Sequence, residues 1–154
     1  MIIAEFLRAE GVLANLRVGS KKQALAELST RAAGVTGLAA NAILATLCER
    51  ERLGSTGVGG GIAIPHGKFA GIALPVGLFA RLDRAVDLVA IDNQAVDLIF
   101  LLLMPEGAVA DHLKVLARVS RLMRDKALCD KLRGTDRSEA LYLMLTEGPA
   151  SHAA

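Results

Sequence analysis

Aromatic side chains are scarce in this chain: 3% of 154 residues, with no tryptophan and a single tyrosine. Proteins that hold single-stranded nucleic acid stack bases on such rings, so that class of activity is disfavoured at once. An excess of positive charge is also missing, because 18 Lys and Arg oppose 16 Asp and Glu for a net charge of +2. Arg118, Arg121 and Arg124, at spacing three, therefore read as the solvated side of a helix rather than a nucleic-acid stripe. Cysteine is limited to Cys48 and Cys129, and neither has a partner at metal-ligand or redox-motif spacing. Cysteine usage alone settles little, and with no secretory signal a reducing cytoplasm is the expected compartment. Long apolar runs are absent as well. Hydrophobic residues reach 53%, yet the longest uninterrupted run is the seven residues from Leu98 to Met104. A bilayer span needs ~18 or more, so no membrane insertion is expected. The opening MIIAEFLRAEG has no basic segment and carries Glu5 early, unlike a signal peptide.

The sequence is rich in patterned apolar residues. Residues 2–7 suit one helical turn and 11–18 a strand. Ser20 followed by Gln23 has the form of a capping box, and Ala24, Leu25, Leu28 and Ala32 recur behind it at helical spacing, with Gly34 as a stop. A second helix is predicted over 37–53, its face formed by Ala40, Ile43, Leu44, Leu47 and Cys48, with Gly54 just beyond its end. Alternation over 72–82 predicts a half-buried strand, and 85–91 is a further extended segment. Residues 98–104 are apolar on both faces, the mark of a central strand covered on each side. Amphipathic helices follow over 109–125, 126–132 and 138–146, the last with Asp136 and Glu139 as an acidic capping box. With no repeat and no linker, the chain reads as one α/β domain over 1–147 and a flexible tail over 148–154.

One stretch interrupts this pattern. Between Gly54 and Gly67 lie six glycines, Ser55, Thr56 and the run Ile62-Ala63-Ile64-Pro65-His66. Pro65 keeps Ile64 extended and ends a short strand, so His66 is delivered at a strand end beside a backbone rich in N–H groups. Two phosphate-binding motifs fail here. A P-loop needs a glycine where Ile62 stands and a hydroxyl where Phe69 stands, and a dinucleotide fingerprint also needs glycine at Ile62. His66, His112 and His152 have no zinc spacing, so no metal is expected from the residues. Ser55 and Ser120 lack the elbow motif of a hydrolase.

His66 remains. A neutral imidazole is nucleophilic and can accept a phosphoryl group and release it. The product carries close to two negative charges, which nearby donors would stabilise. Arg50, at the end of the helix just upstream, His112, near the start of a later helix, and Ser55 and Thr56 are the candidate side chains.

These residues carry a resemblance. Arg50-Glu51, Gly54-Ser55-Thr56-Gly57, Val58-Gly59, Ile62-Ala63-Ile64-Pro65-His66-Gly67, Ile91-Asp92-Asn93, Val96-Asp97-Leu98 and His112-Leu113 resemble enzyme IIA domains of the phosphotransferase system, fructose/mannitol class. Gly-Ser-Thr-Gly and Ile-Asp-Asn are most similar to the nitrogen-regulatory branch, while Gly60 and Ala95 replace its usual Asn and Pro. The resemblance implies a mixed sheet flanked by helices on both faces and a phosphohistidine at His66, with Arg50 and His112 beside it. It implies no organic cofactor, a histidine phosphocarrier protein (HPr-like or NPr-like) as donor, and regulated targets such as transporters or kinases. Two alternatives stay open: a sugar-specific enzyme IIA passing phosphate to an enzyme IIB cysteine, and a binding module without the reaction.

Overall fold

The computed structural model describes residues 2–88, 92–107 and 109–152, with side chains as far as residue 147. The chain opens with a 3-10 turn at Ile3–Glu5 and proceeds as β1 (Leu7–Leu16), α1 (Lys21–Thr36), α2 (Ala40–Arg52), β2 (Gly57–Gly59), β3 (Ile62–Ala63), β4 (His66–Phe69), β5 (Val76–Val86), β6 (Val96–Pro105), α3 (Val109–Met123), α4 (Lys126–Arg133) and α5 (Ser138–His152). The strands form one mixed sheet in the order β1-β5-β6-β3-β2, with β4 also paired to β6.

The all-apolar run of β6 has the central place that its composition requires. Leu98, Phe100, Leu102 and Met104 point into a core shared with α3, α4 and α5. Ile99, Leu101 and Leu103 point into a second core shared with α1 and α2. Side chains alternate across a strand, so a strand flanked by helices on both sides must be apolar at every position. Three of the few aromatics meet in the first core, where Phe6 and Phe79 approach Phe100 edge-on at 6.4 and 6.2 Å.

Ser20 caps α1 as its sequence predicts, its Oγ accepting from Gln23 N at 3.1 Å, while Gln23 Oε1 reaches back to Gly19 N at 2.7 Å. The stop is displaced from Gly34 to Gly37, which takes the left-handed conformation at φ 79° and donates its N–H to Ala33 O. Strand β1 starts four residues before the predicted segment, directly after the 3-10 turn. At the other end, α5 begins at Ser138, so Asp136 lies too far back to cap it, and its carbonyl instead accepts from Asn15 Nδ2. The backbone of α5 continues to His152 through most of the stretch expected as a tail, and residues 153–154 lie outside the described residues. The extended segment expected over 85–91 contributes only its first two residues, as the end of β5, and 89–91 lie outside the described residues.

A charged joint ties the glycine turn to the rest of the molecule. Arg133, the last residue of α4, donates from Nε and Nη2 to the two carboxylate oxygens of Asp97 at 2.8 and 3.1 Å, and from Nη2 to Gly60 O at 2.6 Å. The Arg133 carbonyl accepts in turn from Arg81 Nε and Nη2. From the other side Asp92 accepts from Gly60 N and Gln94 N, and these donors hold its carboxyl below the usual range.

The cysteines differ. Cys48 is half-buried, whereas Cys129 is buried with its Sγ donating to Met123 O, and desolvation raises its pKa. Because the thiolate is the reactive form, iodoacetamide at pH 8 is expected to modify Cys48 at least about tenfold faster than Cys129 in the native protein. Mass spectrometry of the digest checks this, and equal rates would show that the α4 side of the core opens readily.

Candidate active site

Strands β3 and β4 run as one broken line along β6. Ile62 pairs with Leu98 and Ala63 with Ile99, and after a gap His66 pairs with Leu102, the register continuing to Phe69 and Pro105. The gap is Ile64-Pro65. Proline has no N–H to give the ladder, so at this point only its carbonyl takes part, accepting from Leu102 N at 2.9 Å. Ile64 N–H faces away from β6, toward the β2 side of the sheet, and donates to Thr56 O at 3.0 Å.

That break determines the state of the histidine. Ile64 O lies 2.8 Å from His66 Nδ1. A carbonyl oxygen only accepts, so the neutral ring must hold its proton on Nδ1 and keep its lone pair on Nε2. Gly67 allows α2 to approach at this level: a Cβ there would sit 2.9 Å from Thr46 Cγ2 and 3.2 Å from the Phe69 ring.

The half-buried His66 lines a cleft of about 800 Å³ between the last turns of α2 and the first turns of α3. Met104 and Leu116 contribute apolar surface, and the polar lining is mainly cationic or neutral. Arg50 enters from α2, steadied by a 2.9 Å bond from Nη1 to Gly54 O that leaves other guanidinium donors available. Lys68 lies two residues beyond His66, on the same face of β4. His112 enters from the first turns of α3, where the helix dipole favours an anion. It is only 5% exposed, and neither ring nitrogen reaches a protein hydrogen-bond partner. The carboxylate of Glu49, also in the lining, accepts from Arg52 Nη1 at 2.9 Å. Such a cleft suits a tetrahedral oxyanion near Nε2. Among the described residues no cluster of His, Cys, Asp and Glu could hold a metal ion, and no helix is long and apolar enough to cross a membrane.

The sequence model of the phosphoenolpyruvate-dependent sugar phosphotransferase system EIIA 2 family matches residues 5–148. The chain belongs to this family. A nitrogen regulatory protein of Bradyrhizobium diazoefficiens is 50% identical over 153 residues, covering 99% of this chain and 100% of that one. The structure of nitrogen regulatory protein IIA-Ntr from Neisseria meningitidis is 35% identical and superposes with a TM-score of 0.88, covering 94% of this chain and 99% of that one. IIA mannitol from Escherichia coli shares the fold at 17% identity, with a TM-score of 0.74 over 90% of this chain and 97% of that one.

This EIIA chain brings Arg50, His66 and His112 into one cleft and leaves Ser55 and Thr56 outside its lining. The reason is local. Ser55 Oγ donates to Leu88 O at 2.8 Å and accepts from Gly57 N at 3.0 Å, which shapes the turn. The Thr56 hydroxyl and N–H both donate to the buried carboxylate of Glu51. The expected supply of free N–H groups is correspondingly reduced, since those of Thr56, Gly57 and Gly60 all end on side chains of the protein itself. The glycines shape the turn that precedes His66, and of those from Gly54 to Gly67 only Gly67 lines the cleft. Lys68 was not among the sequence candidates, because the four residues of β4 are too few for alternation to single it out.

Proposed function

We propose that this protein is a phosphohistidine carrier of the nitrogen-regulatory type, working in the cytoplasm and regulating partner proteins through its phosphorylation state. The observation that carries the proposal is the bond between His66 Nδ1 and Ile64 O, which leaves Nε2 as the nucleophile in a cation-lined cleft. In the proposed step the Nε2 lone pair forms a bond to phosphorus as the P–N bond of the donor phosphohistidine breaks, and the donor nitrogen keeps that electron pair. His66 then carries a positive ring, still held through Nδ1–H, and a phosphoryl group with about two negative charges. Arg50, Lys68 and His112 are the groups available to balance that charge, each charge-assisted bond being worth about 1.5–3 kcal/mol. The donor would be a histidine phosphocarrier protein, charged in turn by an enzyme I from phosphoenolpyruvate. Full-length similarity to nitrogen regulatory proteins supports the regulatory branch over the sugar-transporting one.

Incubation with phosphoenolpyruvate, enzyme I and the carrier is expected to give an acid-labile, base-stable phosphoprotein, and His66→Ala is expected to take no label. Labelling of His66→Ala would overturn the assignment of the nucleophile. Rapid sugar-dependent loss of label to an enzyme IIB would overturn the regulatory destination.

A further inference from the structure

Glu51 has no part in the cleft, and helix energetics do not explain its place. It sits in the last turn of α2, where the dipole favours cations, and its side chain is 5% exposed, where a carboxylate is costly unless fully paired. It is fully paired. Lys21 Nζ, at the first residue of α1, lies 2.6 Å from Oε2, while Oε1 accepts from Thr56 N at 3.0 Å and from the Thr56 hydroxyl. The peptide that Glu51 fixes passes the constraint on. Thr56 O accepts from Ile64 N at 3.0 Å, and Ile64 O accepts from His66 Nδ1 at 2.8 Å.

We infer that Glu51 is a positioning residue for His66, acting through Thr56 and Ile64 to hold the ring in its Nδ1–H form with Nε2 presented to the phosphoryl donor. Pro65 is what makes the relay necessary. Having no N–H, it leaves the Ile64–Pro65 peptide without a donor to β6, so the Ile64 carbonyl relies for its placing on the adjoining Ile64 N–H bond to Thr56 O. Lys21 belongs to the same device as the counter-charge that keeps the Glu51 side chain aimed at the loop. Sequence had linked Glu51 to the glycine stretch only through resemblance, and the structure supplies a chemical reason.

The inference deepens the reading of His66 as the phosphoryl acceptor and rests on it, and the test separates the two. Ring ¹⁵N NMR of the unphosphorylated protein reads the tautomer directly, and phosphoryl uptake from the phosphocarrier is followed on the same samples. Wild type should show mainly Nδ1–H. Glu51→Ala should shift the ring toward the Nε2–H form and slow uptake by roughly 10- to 100-fold, the scale of a misplaced reacting group. Glu51→Gln, which keeps an acceptor for Thr56 but loses the charge, should recover part of both. A purely structural role would lower the melting temperature without moving the tautomer. An unchanged tautomer in folded Glu51→Ala therefore overturns the inference. If that variant does not fold, Glu51→Gln and Lys21→Met decide by the same signal. A tautomer shift in a protein that takes no label would keep the positioning role and remove the acceptor role.

Discussion

Replacing His112 with leucine is expected to raise the melting temperature by about 2–12 °C and to slow phosphoryl transfer to His66 by about 10²-fold. Both effects come from one observation: a buried imidazole whose two nitrogens have no protein partner. A polar group in that condition costs about 1–3 kcal/mol, which an apolar side chain of similar size recovers. At this chain length each kcal/mol corresponds to about 2–4 °C. The lost rate is the contribution of a preorganised donor at the charge that develops in transfer, for which about 10²–10³-fold is typical. Calorimetry and a rapid-quench transfer assay measure the two quantities. A variant that melts lower and transfers normally would make His112 a packing residue with no part in the chemistry.

Gly61→Ala should be the most damaging conservative change in the glycine stretch, lowering the melting temperature by about 5–15 °C. Gly61 is buried at φ +81°, and a Cβ there would lie 2.7 Å from Arg133 Nη2 and 2.9 Å from Asp97 Oδ1. Neither atom is free to move, because Arg133 is bonded to Asp97 and Gly60, and Arg81 holds its carbonyl. Left-handed strain of about 1–2 kcal/mol therefore adds to a disrupted charged pair worth about 1–3 kcal/mol. Gly107→Ala is the control, since its φ of +80° is similar but nothing lies within 4 Å of the added Cβ. It should lose only the strain, about 2–4 °C per kcal/mol. Equal losses in the two variants, read by thermal unfolding, would show that the Arg133–Asp97 joint does not carry the effect.

The readable parts of the sequence were those whose signal is local. The Ser20–Gln23 cap, the helical spacing behind it and the two-faced apolar run of β6 each follow from neighbouring residues, and each is present in the structure. The histidine was legible because Ile-Pro-His within a glycine-rich stretch is an uncommon local pattern. What could not be read depends on partners distant in the chain. Nothing near Thr56 announces that its hydroxyl ends on Glu51, nor anything near Ser55 that its own ends on Leu88, so both looked free for a ligand. Gly34 read as the stop of α1, and only the geometry of the last turn shows that Gly37 ends it. Lys68 was hidden for another reason. Four residues of β4 are too few for alternation to stand out, and its shared face with His66 emerges only once the strand is paired to β6.

The pairing of His66 with Leu102 also bears on the order of assembly. The α1–α2 pair and the α3–α4 connection can form from contacts close in sequence, whereas the parallel alignment of β4 on β6 must close the long chain between them. Parallel, non-local pairing is the slow part of folding. Arg50, His66 and His112 therefore depend on that non-local alignment to meet. On the proposed function, a chain in which that alignment has not formed would lack a complete phosphoryl acceptor.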